Sequence, residues 1–168
     1  MKYHNITHDD MNNGEGLRVV LWVGGCEHHC KGCHNPMTWS TRDGAEFTYR
    51  EVEEIVADLE KDYVAGVTFS GGDPLHPNNI STISVLAGII KDNYPHKTVW
   101  IYTGYTWEEI SEIPERVKLL KSVDVLVDGR FEIDLKNENY PWAGSTNQRV
   151  IDVQKSLKEG RIISYESH

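Results

Sequence analysis

The sequence predicts an α/β fold on a parallel sheet of about five strands, an incomplete β/α barrel left open on one side. Three observations carry that expectation. Short runs rich in β-branched residues recur along the chain, amphipathic helical stretches fall between them, and the runs end at glycine-bearing turns. Strands that alternate with helices require right-handed crossovers, which give parallel pairing. At 168 residues the chain has the length of one domain and is too short for a full eight-stranded barrel.

The first strand is expected at Leu17 to Val23 (LRVVLWV), after the polar start MKYHNITHDDMNNGEG, and it stops at Gly24-Gly25. Thr48 to Glu51 has the capping-box form, and Val52, Ile55, Val56, Leu59 and Tyr63 then fall on one helical face. Gly66 to Ser70 reads as the second strand, ended by Gly71-Gly72-Asp73-Pro74. A second helix is expected from about Asn79 to Asn93, with Ile80, Ile83, Leu86, Ala87 and Ile90 inward and Tyr94-Pro95 as its stop. Thr98 to Tyr102 is the third strand, followed by Thr103-Gly104-Tyr105 and a short acidic helix near Trp107 to Ile113. Val123 to Val127 is the fourth, followed by Asp128-Gly129-Arg130; Glu132 to Thr146 reads as irregular, and Arg149 to Val153 as a fifth strand. The expected organisation is one domain over residues 1–153 and a polar tail over 154–168. In such folds working residues gather at the carboxyl ends of strands, so four loops are expected to share one rim.

Composition narrows the function classes. No apolar run reaches the roughly 18 to 20 residues of a membrane span, and the amino terminus has no signal-type apolar stretch. A soluble protein of the reducing cytoplasm is expected, without stable disulfides. A formal net charge of −9 speaks against nucleic acid or an anionic membrane as principal partner, since both would be repelled.

The three cysteines of the chain lie within one loop, Cys26-Glu27-His28-His29-Cys30-Lys31-Gly32-Cys33-His34, a C-x3-C-x2-C pattern. An odd number cannot pair off as disulfides. Cys30 to His34 also matches the c-type haem attachment pattern, but that leaves Cys26 unused. Zinc is the structural alternative: a closed Cys3His site drawing on His28, His29 or His34 would make this a zinc-stapled interaction module. A chain with core enough to fold without metal has less need of such a staple. An iron–sulfur cube takes four thiolates, and here only three exist. One iron is then left for an exchangeable ligand, as in open catalytic metal sites.

S-adenosylmethionine can fill that position through its amino and carboxylate groups, after which one electron from the cluster breaks a carbon–sulfur bond. Gly71, Gly72 and Asp73 suit its methionine end, because glycines let backbone carbonyls approach an ammonium and a carboxylate lies alongside. Asp73 reads equally as a cap for the segment that follows.

With the Ser-Gly-Gly-Asp-Pro turn, the C-x3-C-x2-C loop resembles the radical S-adenosylmethionine enzymes. Asn13 to Arg18 before the cluster and His34 to Trp39 after it are similar to the activases that install glycyl radicals in partner enzymes. Tyr102 to Tyr105, Val127 to Phe131 and Gly144 to Arg149 resemble those that act on anaerobic ribonucleoside-triphosphate reductase, and the likeness covers about residues 3 to 152.

The resemblance implies an open barrel of the radical SAM type and one [4Fe-4S] cluster on Cys26, Cys30 and Cys33. It implies S-adenosylmethionine lined by Gly32, Cys33 and His34 as well as Gly72, with no side chain acting as acid or base. It also implies hydrogen abstraction from a glycine Cα in the large subunit of the reductase, with an electron donor such as flavodoxin. His34 stands where many reductase activators carry Tyr, and Ala143 where many carry Arg; the His34-Asn35 pair is closer to activators of pyruvate formate-lyase. Three cysteines leave none for a second cluster. His28 and His29 read as solvated loop residues, Trp100, Tyr102 and Trp107 as packing, and His76 as ambiguous. Asn147, Gln148 and Arg149 read either as partner or cofactor contacts or as turn residues.

Overall fold

The computed structural model describes residues 1–167, and the α/β alternation is present with more strands than the sequence announces. In chain order the elements are β1 (Lys2–Asp10), β2 (Leu17–Val23), β3 (Ala45–Glu46), α1 (Tyr49–Leu59), β4 (Val64–Gly71), α2 (Ile80–Asn93) and β5 (Thr98–Tyr102). There follow α3 (Trp107–Ser111), α4 (Pro114–Leu120), β6 (Val125–Asp128), β7 (Arg149–Asp152) and α5 (Val153–Glu159). One seven-stranded sheet has the order β3-β1-β2-β4-β5-β6-β7. Pairing is parallel from β2 through β6, whereas β1 and β7 pair antiparallel with β2 and β6.

The five-strand, all-parallel expectation is therefore corrected to a mixed sheet of seven, and nothing in it closes on itself. β1 escaped notice because KYHNITHDD buries only Ile6; its pairing comes from backbone bonds to the apolar β2, a tertiary cause. β7 runs antiparallel because only a single 3-10 turn (Ile133–Leu135) and loop separate it from β6, with no α-helix to form a crossover that returns the chain to its starting edge. Residues 114–120, unassigned from sequence, form α4 behind Pro114. Tyr63 lies beyond the end of α1 and is exposed. Residues 153–159 are helical, and Tyr165 packs its ring 5.1 Å from that of Trp100.

The capping box predicted for α1 is present: Thr48 donates to the Glu51 carboxylate from its backbone N–H (2.6 Å) and its hydroxyl (2.5 Å). A second box, Thr106 and Glu109, opens α3.

Strand alternation divides the sheet into two faces. Val19, Leu21, Val23, Val67, Phe69, Val99 and Ile101 point to the main core with Ile55, Leu59, Ile83, Ile90 and Leu119 from the helices. Consecutive parallel strands are neighbours, so right-handed crossovers put their helices on that one face. The other face carries a smaller cluster of Trp100, Val125 and Val127, joined by Tyr102, Trp142, Val150 and Tyr165. Arg18 is buried on this second face, and all five of its N–H donors are used on Thr68, Thr98, Val67 and Glu15. Burial lowers its pKa to about 10, which leaves it charged at neutral pH.

Candidate functional site

β2, β4, β5 and β6 run parallel, so their carboxyl ends meet on one edge, and the loops that leave them enclose a cleft of about 560 Å³. Cys26, Cys30 and Cys33 line it from the β2 loop, and Gly71, Gly72 and Asp73 from the β4 turn. Thr103 and Gly104 follow β5, while Gly129 and Phe131 follow β6. The shared rim expected from the sequence is thus present. Among the predicted site residues only Gly32 stands outside this lining, where it faces Ile133 instead.

The cysteine loop is closed at its neck by two backbone bonds, Gly25 N–H to Thr38 O (2.7 Å) and Cys26 N–H to Trp39 O (3.1 Å). Within it, Cys33 N–H donates to Cys30 O (3.1 Å), and Asn35 N–H reaches the Cys33 Sγ at 3.4 Å. All three thiols are free. Burial pushes the Cys26 thiol up to about 11 and raises Cys30 as well, so both are protonated at neutral pH until a metal displaces the proton.

Asp73 is the organising group of the rim. It is 1% exposed, and its carboxylate accepts from Leu75 N–H (2.9 Å), the Thr103 hydroxyl (2.8 Å), Gly104 N–H (2.9 Å) and His28 Nε2 (2.7 Å). It caps no helix, because α2 begins at Ile80 after Asn79. Asn79 instead donates to Gly24 O (2.8 Å) and Asp73 O (2.9 Å), and so ties the neck to the turn.

His28 is the residue that the sequence misassigned. Its side chain is 3% exposed, packed edge-on to Tyr105 at 4.4 Å, where a solvated ring was expected. His29 is exposed and stacks on Trp39 (4.5 Å), and His34 meets Phe131 edge-on at 5.3 Å. Trp100 is buried, as expected for packing. The imidazole of His76 accepts from Asn78 N–H (3.0 Å) within its own turn.

Asn147, Gln148 and Arg149 are engaged within the protein. Asn147 donates to Arg130 O (2.8 Å), Gln148 accepts from Gly144 N–H and Ser145 N–H (3.0 Å each), and Arg149 holds Asp128 (2.5 Å) and Glu108 (2.8 Å). Trp22, Tyr102, Tyr140 and Trp142 also line the cleft. Alternation along β2 and β5 signals Trp22 and Tyr102, opposite the core-facing Leu21 and Ile101; nothing local signals Tyr140 or Trp142. The Tyr102 hydroxyl is buried with no protein partner among the described residues.

The donor set suits a cube better than a single ion. A cube offers a separate iron to each thiolate, so three cysteines on one cleft suffice. Among the described residues no three His, Cys, Asp or Glu side chains converge on one metal-ion position. His28 in particular is committed to Asp73.

Comparison with known proteins agrees with the cysteine chemistry. Residues 12–151 match the family model described as a 4Fe-4S single cluster domain. An anaerobic ribonucleoside-triphosphate reductase-activating protein of Enterobacteria phage T4 is 44% identical over 150 residues, 89% of this chain and 93% of that protein. Proteins of the same name from Vibrio cholerae and Escherichia coli K12 are 41% and 40% identical over 152 residues, each covering 89% of this chain and 97% of the relative.

Proposed function

The chain belongs to the family of anaerobic ribonucleoside-triphosphate reductase-activating proteins, and on that premise we propose that it is a radical-generating activase. In this reading Cys26, Cys30 and Cys33 hold one [4Fe-4S] cluster, which cleaves S-adenosylmethionine reductively. The product is a glycyl radical on the large subunit of the anaerobic reductase. The observation that carries the reading is the missing fourth thiolate at a cleft that also presents Gly71 and Gly72.

When bound, the cluster and S-adenosylmethionine supply one-electron cleavage of a carbon–sulfur bond and a 5′-deoxyadenosyl group that takes a hydrogen atom from the partner's glycine Cα. The chain's own part is placement and exclusion of water. The Gly71-Gly72 backbone lines the cleft where the methionine ammonium would sit, Cys33 and His34 would flank the cofactor, and Asp73 fixes the turn by its four protein donors. The aromatic side chains that line the cleft would keep water from the reacting atoms, and no acid or base is needed.

We read the unclosed sheet as a barrel of the radical SAM type whose gap admits the partner's glycine loop. No helix among the described residues is long and apolar enough to cross a membrane. A reducing cytoplasm with an electron donor such as flavodoxin is the setting this chemistry requires.

Anaerobic reconstitution with iron and sulfide tests the reading. Reduced protein is expected to turn S-adenosylmethionine into methionine and 5′-deoxyadenosine, and to raise a glycyl-radical resonance on the anaerobic reductase. Replacing any one of the three cysteines with Ala is expected to abolish both. A colourless protein holding one tight zinc would sink the reading, and a radical on formate lyase but not the reductase would change the partner.

A further inference from the structure

We propose that His28 is a positioning residue that pins the tip of the cysteine loop to the Gly71-Gly72-Asp73 turn, so that cluster and S-adenosylmethionine keep one fixed separation; this rests on the function proposed above. The loop is attached to that turn at two separate places. At its neck, Asp73 N–H donates to Gly25 O (2.7 Å), and Asn79 bridges Gly24 O and Asp73 O. At its tip, the His28 bond to Asp73 reaches across 45 residues of sequence.

Geometry defines the bond's direction. Asp73 is an acceptor for Leu75 N–H, Thr103 Oγ and Gly104 N–H, and a carboxylate has only acceptor sites, so Nε2 of His28 carries the proton. The imidazole is clamped on its other sides. Tyr105 meets it edge-on at 4.4 Å, and that ring is itself held by its hydroxyl to Glu27 and by the Arg116 guanidinium 3.8 Å above it. Beneath, a Cβ on Gly104 would stand 2.4 Å from His28 Cδ2, so only glycine leaves room for the ring. One carboxylate thereby joins the loops after β2, β4 and β5, and His28 is the only one of its four donors that comes from the cysteine loop. Partners that orient metal ligands from one step away characteristically change affinity or activity roughly tenfold to hundredfold when removed.

The test compares His28→Ala with His28→Gln, whose amide nitrogen can still donate to Asp73, in reconstituted full-length protein with wild type alongside. His28→Ala is expected to keep its iron and sulfide, to raise the KM for S-adenosylmethionine roughly tenfold or more against a smaller change in kcat, and to weaken the spectral change that S-adenosylmethionine produces in the reduced cluster. His28→Gln is expected to restore much of both. Without any cofactor, amide exchange at Leu75 and Gly104 is expected to quicken in His28→Ala and recover in His28→Gln. Unchanged KM, spectrum and exchange in His28→Ala, or equal impairment of both variants, would overturn the inference. A wild-type protein that cleaves no S-adenosylmethionine would sink the proposed function instead, and the exchange comparison would still decide the tether.

Discussion

A Cβ on Gly72 would lie 2.5 Å from the carbonyl oxygen of Gly25 and 2.8 Å from that of Thr38, so the β4 turn and the neck of the cysteine loop touch backbone to backbone. Neither carbonyl belongs to a flexible side-chain end, so neither can swing aside. Gly72→Ala is therefore expected to destabilise the protein by about 1–3 kcal/mol and to lower its capacity for iron. Denaturant unfolding of the metal-free protein and iron analysis after reconstitution measure the two effects; a variant normal in both would show that the neck yields.

Arg149 grips a nearly inaccessible carboxylate. Asp128 is 1% exposed and accepts from Arg149 Nη2 at 2.5 Å, from Arg149 Nε at 3.1 Å and from Trp107 N–H at 2.7 Å. Arg149→Met leaves that charge with two backbone amides, those of Trp107 and of position 149 itself (3.2 Å). Because the guanidinium is itself 40% exposed, the expected loss is about 1–3 kcal/mol, below that of a fully buried pair. Adding Asp128→Asn is expected to recover part of it, as a double-mutant cycle in denaturant would read.

His8 on β1 joins α1 by Nδ1 to Asp58 (2.5 Å) and Nε2 to Glu54 (3.0 Å), while Lys61 also reaches Asp58 (3.1 Å). Its pKa is raised above 6.5, chiefly by the Asp58 hydrogen bond. A raised folded pKa means that the native state binds the proton more tightly. The resulting stability is complete below the unfolded value and is lost as pH climbs through the folded one. The difference in unfolding midpoint between wild type and His8→Gln is thus expected to be largest just below the ordinary histidine value of 6.5 and to shrink as pH climbs above it. A difference that widened with pH would contradict the pairing.

Tyr102 offers a cleaner separation of stability from binding. Its hydroxyl has no protein partner among the described residues, and burial raises its pKa. Tyr102→Phe removes a buried polar atom without opening a cavity, so the thermal midpoint is expected to hold or rise. Activation of the reductase is expected to fall if the hydroxyl meets the cofactor or the partner's backbone. A destabilised variant would reveal a protein partner for it.

Much of the site was legible because its chemistry is local. Cys26, Cys30 and Cys33 are close in sequence, and a glycine pair after a β-branched run marks a strand end wherever it occurs. The parallel strands and the helices α1 and α2 were legible for a similar reason, since period and capping residues act within a few positions. β1 was not legible, because its polar residues form a strand only against β2. His28 was not legible either: a histidine between two cysteines has the same local signature whether it faces water or Asp73.

By itself, then, the sequence determined that all three cysteines share one loop, the alternation of strands and helices and the order of the rim loops, all of which follow from short-range spacing and chain connectivity. Tertiary structure alone decided that the sheet is mixed and seven-stranded, that Asn147, Gln148 and Arg149 brace turns, and that Asp73 is spoken for by Thr103, Gly104, Leu75 and His28. The physical reason is common to these cases. A buried polar group must find partners wherever the fold brings them, and for Asp73 most of those partners lie 30 or more residues away.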